Sequence, residues 1–144
     1  MMWNEIIKEN DIKKLMTEYG FFHDACIKEI KYISGAFVNS DLSMSPFNID
    51  GVLSIIFQRQ YENPTVIEME FCGLKNLHLI SSKEGNTCII YGASLSLNDG
   101  LFYWGDSINI EDFQSYKGTW ICSDKIRWRN ADEYIGNQEI YKSI

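Results

Sequence analysis

The stretch Phe21, Phe22, His23, Asp24, Ala25, Cys26 places an imidazole, a carboxylate and a thiol close together in the chain. A histidine oriented by a carboxylate is a general base, and a thiol within its reach is a nucleophile. His23 and Cys26 would meet across a helical turn but not along a straight strand, and His23 and Asp24 face opposite sides of an extended chain, so joint chemistry requires a turn here. The alternative is structural. A carboxylate between phenylalanines and the apolar Ala25, Cys26 and Ile27 needs donors, which an imidazole or turn amides supply, and the group then fixes a corner between helix and strand. On that reading Cys26 is a core thiol. Both readings stay open at this point.

Other chemistry is sparse. The only histidines are His23 and His78, and no CxxC or HxxxH pair prepares a metal site, so no metal is expected. There is no phosphate-cradling glycine loop and no dinucleotide fingerprint, so no cofactor is expected either. Glu68 and Glu70 lie on one face of one strand and read as a solvated rung rather than as the facing carboxylates of a glycosidase. Cys26, Cys72, Cys88 and Cys122 are widely separated and read as buried thiols rather than a disulfide framework.

The chain has 144 residues, 45% of them hydrophobic and 14% aromatic, which suits a single domain over 1–144 with one core. A formal net charge of −7 disfavours nucleic acid as a partner and attracts a basic protein, although solubility alone accounts for such a charge too. No apolar run is long enough to span a bilayer, so no membrane partner is expected. Met1 to Tyr19 carries four acidic residues, unlike a secretory signal, and a cytoplasmic location is the expectation. One region combines charge with anchors for a protein partner: Asp99, Asp106, Glu111 and Asp112 stand beside Phe102, Tyr103, Trp104 and Phe113. Arg59, Lys125, Arg127 and Arg129 form basic rungs that pair with Glu68 and Glu70 if their strands are neighbours.

The elements that must position these residues follow from periodicity. Ile12, Leu15, Met16 and Tyr19 predict a helix capped by Asn10 and ended by Gly20, with Trp3, Ile6 and Ile7 as an earlier turn or docking arm. Alternation then predicts strands over Cys26–Ile33, over Leu53–Gln58 in a central position, and through Ile67, Met69 and Phe71. Gly73 is expected to break that last strand, with Leu77 and Leu79 inward in the next. A turn at Lys83–Asn86 leads to a strand over Cys88–Leu97, and Asn98, Asp99 and Gly100 close a hairpin with Leu101–Trp104. Asn39–Asp50 and Gly105–Lys117 read as loops. Trp120 opens a last strand with Ile126 and Trp128 inward, and the tail from Asn130 reads as peripheral. Short turns imply antiparallel pairing. The fold class is α+β: one N-terminal helix packed on a largely antiparallel, curved sheet or sandwich of seven to eight strands.

Phe22, His23, Asp24, Ala25 and Ile27, with the phrases Phe57 to Ile80 and Lys125 to Arg129, resemble a group of small bacterial proteins that share an FHD(A/S)xI opening. A similar opening, followed by a strand-rich phrase ending G-x-x-x-L-x-L, is found in some immunity proteins of bacterial toxin systems; Gly73, Leu77 and Leu79 stand near that pattern. Tyr19 and Gly20 stand where those proteins carry a Trp-Pro pair. The resemblance implies a non-enzymatic protein that binds and neutralises a basic toxin partner, and it supplies no catalytic residue. The alternatives are a small-molecule-binding or hydrolytic domain using His23 and Asp24, and a structural or self-assembling module.

Overall fold

The computed structural model describes residues 2–47, 51–81 and 87–142. In chain order the elements are β1 (Asn4–Ile6), α1 (Glu9–Glu18), β2 (Ala25–Ile33), β3 (Phe37–Val38), β4 (Met44–Ser45), β5 (Val52–Arg59), β6 (Val66–His78), β7 (Ser94–Asn98), β8 (Leu101–Gly105) and β9 (Trp120–Asn130). Seven strands make one antiparallel sheet in the order β2-β5-β6-β9-β8-β7, with β1 also paired to β9, and β3 and β4 form a separate hairpin. The α+β architecture is as the alternation predicts, and β5 is indeed central, between β2 and β6. The sheet curls: Ile90, a few residues before edge strand β7, bridges to Ala25 at the start of the other edge strand, β2.

One face of the sheet carries the main core. Leu53, Ile55 and Phe57 of β5, Ile67, Met69 and Phe71 of β6, and Ile126 and Trp128 of β9 pack there against Ile12, Leu15, Met16 and Tyr19 at the helix. Each strand contributes alternate residues, as a pleated chain must. The helix starts two residues earlier than Asn10 predicts. Lys8 is its N-cap, and the Asp11 carboxylate reaches back to accept from the Ile7 and Lys8 amides at 2.9 and 3.0 Å. Before it, the expected arm is the strand β1, with Ile6 buried.

Gly73 bends β6 without breaking it. Its φ is +65°, and a Cβ there would lie 2.5 Å from Asp124 Oδ2, so only glycine lets the strand continue beside β9. The register then slips between Leu74 and Asn76, after which Leu77 packs on the core while Leu79, beyond the strand end, is exposed rather than inward. The Cys88–Leu97 strand is shorter than predicted, because Ile90 and Ala93 bond to the corner at Phe21, Asp24 and Ala25 and form only an isolated bridge. The Lys83–Asn86 turn lies outside the described residues. The Asp99–Gly100 hairpin closes β7 on β8 as predicted.

The opposite face of the sheet is charged, yet it is covered. Glu68 pairs with Arg129 and Glu70 with Arg127 across β6 and β9, as the cross-strand reading expects. These carboxylates are not solvated: their side chains are only 12% and 16% exposed. Trp3 lies over both guanidinium groups, and Tyr134, Ile140 and Tyr141 pack on a second cluster of Ile56, Val66 and Ala131. The tail expected to be peripheral is therefore part of the structure. Glu29 on β2 anchors it, accepting from the amides of Ile140 and Tyr141 at 2.8 Å each, while Lys31 lies over the Tyr141 ring.

Burial raises the Glu29 pKa, but the two amides and the Lys28 ammonium outweigh it and hold the carboxyl below its ordinary value of 4.5. A carboxyl depressed in the folded state contributes stability that is complete above the unfolded value and is lost as pH falls through the folded one. The Ile140 and Tyr141 amide resonances should therefore move to random-coil positions below pH 4.5, and in Glu29→Ala they should do so at neutral pH. Retention of the native shifts in Glu29→Ala would show that the tail is held by its apolar contacts alone.

Candidate functional site

The helix-to-strand corner is built from left-handed backbone. Gly20, Phe21, Phe22 and Asp24 all have positive φ, between +54° and +62°. The turn drives Phe22 into the core, where its ring meets Tyr19, Phe57 and Trp104 with centroids 4.9–5.6 Å apart. The Asp24 amide donates to the Ile90 carbonyl at 2.9 Å and its carbonyl accepts from the Gln60 amide at 3.2 Å. Main chain and Phe22 thus make the corner. The His23 and Asp24 side chains point outward, 65% and 45% exposed, with Nδ1 3.1 Å from Oδ2.

Both line a cleft of about 390 Å³ with Thr17, Glu18, Gly20, Arg59, Gln60, Tyr61, Glu62 and Asn63. Cys26 does not line it. The thiol lies one strand position beyond the turn, opposite Gln58, and burial pushes its pKa up, so it is a packed thiol and not an activated nucleophile. Cys72 and Cys122 are likewise thiols raised by burial, but Cys88, expected to be buried, is exposed because it lies before the Ile90 bridge and in no strand. Among the described residues no three His, Cys, Asp or Glu side chains converge as a metal site.

Arg59 forms the inner end of the cleft. It was expected on the outer basic rung, but it continues the inward series Leu53, Ile55, Phe57 and is only 8% exposed. That parity was readable in the sequence; the charge obscured it. Nε donates to the Pro64 carbonyl at 2.8 Å, and Nη2 to the carbonyls of Glu18 and Glu62 at 3.3 and 3.2 Å. The guanidinium lies over the Tyr19 and Tyr61 rings. Among the described residues Nη1 has no hydrogen-bond partner, and it stands 3.1 Å from where a Gly20 Cβ would be. Among the described residues no carboxylate forms an ion pair with Arg59, whereas the equally buried Arg129 has both Glu68 and Glu133.

The acidic and aromatic grouping does not form one surface. Trp104 cannot contact a partner: it is fully buried against Phe22 and Phe57, because its strand position faces the helix. Asp106 accepts from the Tyr116 hydroxyl, and burial followed by that carboxylate pushes the phenol up to about 12. Asp112 caps the turn Phe113–Ser115 by accepting from the Gln114 amide at 3.1 Å. Asp99 sits at the hairpin tip, about 20 Å from Asp106 by strand rise, and Glu111 is exposed in the loop.

A different surface is apolar. The β3–β4 hairpin, which falls partly in the predicted Asn39–Asp50 loop, leaves Phe37, Val38, Leu42, Met44 and Phe47 more than half exposed. None belongs to either hydrophobic cluster. Its turn is held by polar bonds: Asn39 Nδ2 donates to Ser43, and Asp41 Oδ1 accepts from the Ser43 amide at 2.9 Å and its hydroxyl at 2.6 Å.

Stability should separate the cleft residues. Removing Arg59 orphans three carbonyls, each bonded to a charged donor worth about 1.5–3 kcal/mol, so Arg59→Ala should lose at least about 3 kcal/mol in a denaturant melt. His23→Ala should change stability by no more than about 0.5 kcal/mol. A loss above 2 kcal/mol in His23→Ala would restore the imidazole to a structural role at the corner.

No helix in the described residues is long and apolar enough to cross a membrane. No known protein family, curated protein or solved structure matches the chain.

Proposed function

We propose that this is a non-enzymatic binding protein that engages a basic protein partner through the β3–β4 hairpin, in the manner of an immunity protein neutralising a toxin. The observation that carries the reading is the hairpin itself. Five large apolar side chains are exposed on an arm whose own turn is locked by Asn39, Asp41 and Ser43, so little ordering cost remains to be met on binding. Large apolar side chains exposed together on one short segment mark an interaction site.

Charge supports the kind of partner. The whole chain carries −7, and residues 34–47 contain Asp41 and no lysine or arginine, so a cationic protein is drawn in over a long range and docks its apolar anchors on the arm. The resemblance of the Phe22-His23-Asp24 opening to immunity proteins points the same way. Exposed Asp99, Glu111 and Asp112 contribute to the field; half-buried Asp106 is held by Tyr116, and Trp104 is in the core. Self-association through the β2 edge is disfavoured by Lys28, Lys31 and the irregularity between Ile27 and Glu29, which blunt that edge.

The test is capture of a partner from lysate of the source organism by the tagged chain and by a Phe37→Ser, Met44→Ser double variant, washed at low and high salt. The wild type should retain a basic protein that high salt weakens, and the double variant, with an unchanged melt, should lose at least about tenfold in affinity, since anchors of this kind each contribute more than 1 kcal/mol. Equal capture by the double variant, or a retained protein that is acidic, would sink the reading.

A further inference from the structure

We infer that the corner cleft is a binding site for a small zwitterion of the α-amino acid type, its carboxylate on Arg59 and its ammonium on the acidic lip. The cleft is about 30 Å from the hairpin along β2, so the site stands independently of the partner surface.

Arg59 supplies the anion-binding end. It is more than nine-tenths buried, three of its N–H groups are spent on carbonyls, and among the described residues Nη1 alone is left without a bond, beside cleft-lining Gly20. Carbonyls and aromatic rings satisfy three of its donors and its faces but do not cancel its charge, and a buried guanidinium is most stable against a carboxylate. Gly20 keeps the approach open, since a side chain there would crowd Nη1.

The rest of the lining has the opposite character. Glu18, Asp24 and Glu62 line the same cleft, with the His23 imidazole 3.1 Å from the Asp24 carboxylate. A simple anion such as phosphate would pass three carboxylates to reach one guanidinium, and a simple cation would meet the guanidinium at the inner end. A molecule with a carboxylate and an ammonium on adjacent atoms satisfies both ends. The volume, about 390 Å³, lies in the lower part of the range used for small ligands and leaves room for a side chain.

The full chain should be titrated with L-alanine, with its two halves acetate and methylammonium, and with inorganic phosphate, following the Gly20 amide and the Arg59 Nε–H in nitrogen–proton NMR spectra. L-alanine should shift both resonances saturably and bind about tenfold more tightly than acetate, and methylammonium and phosphate should leave them in place. Because Arg59 variants are expected to be destabilised, the lip is tested by Glu62→Gln, which should weaken L-alanine about fivefold and not weaken acetate. Acetate or phosphate binding as tightly as L-alanine would overturn the zwitterion assignment, and no movement of either resonance with any probe would overturn the site.

Discussion

The burial of Phe22 is the contact on which the rest of the molecule depends. Three consecutive residues, Gly20, Phe21 and Phe22, are left-handed, and Asp24 follows. A non-glycine residue in that region costs about 1–2 kcal/mol, so the corner is not a conformation the local sequence would choose. Full burial of a phenylalanine returns roughly 1.5–3 kcal/mol, and each edge-on aromatic contact adds about 0.5–1.5 kcal/mol. With Tyr19, Phe57 and Trp104 around it, the Phe22 ring offsets the strain. Helix, β5 and β8 are thereby pinned at one point, and the same turn lifts His23 and Asp24 outward over Arg59.

The two faces of the sheet solve different problems. The helix side is a conventional apolar core. The other side carries Glu68, Glu70, Arg127 and Arg129, which would be an ordinary exposed ladder worth little in water. Trp3, Tyr134 and Tyr141 lie over it, so the ion pairs act in partial burial, and Glu133 is held below the usual carboxylate range chiefly by its hydrogen bond from Arg129. Coverage from both chain ends explains why β1 and the tail are ordered despite weak periodicity of their own: each is held by charges and rings on strands far away in sequence.

That distinction marks how far the sequence could be read. Period-two alternation identified β5, β6 and β9 and their inward residues, and the Asn98-Asp99-Gly100 signal placed a hairpin correctly, because both are local. Residues 4–6 and 132–141 gave no such signal, since their partners are Trp128, Glu29 and Ile56. The β3–β4 hairpin was missed for a third reason: its two rungs are too short for alternation to register, and the bonds of Asn39 and Asp41 that hold it resemble those of any polar loop. At the corner, His23 and Asp24 attracted notice as titratable neighbours, yet Phe22 and the main chain do the structural work.

Arg59 and Arg129 show why charge type alone is a poor guide to a site. Both are buried arginines at strand ends, 8% and 4% exposed, and both lie against aromatic rings. Arg129 is closed electrostatically by two carboxylates, Glu68 and Glu133, so its charge is consumed by the fold. Arg59 is held by three carbonyls, including that of Glu18 at the end of α1, which fix its orientation, and among the described residues no carboxylate forms an ion pair with it. A purely structural arginine gains from the first arrangement, because an unneutralised buried cation is costly. The second arrangement fixes a cation in place and leaves Nη1 without a bond among the described residues, which is the preorganisation an anion-binding group requires.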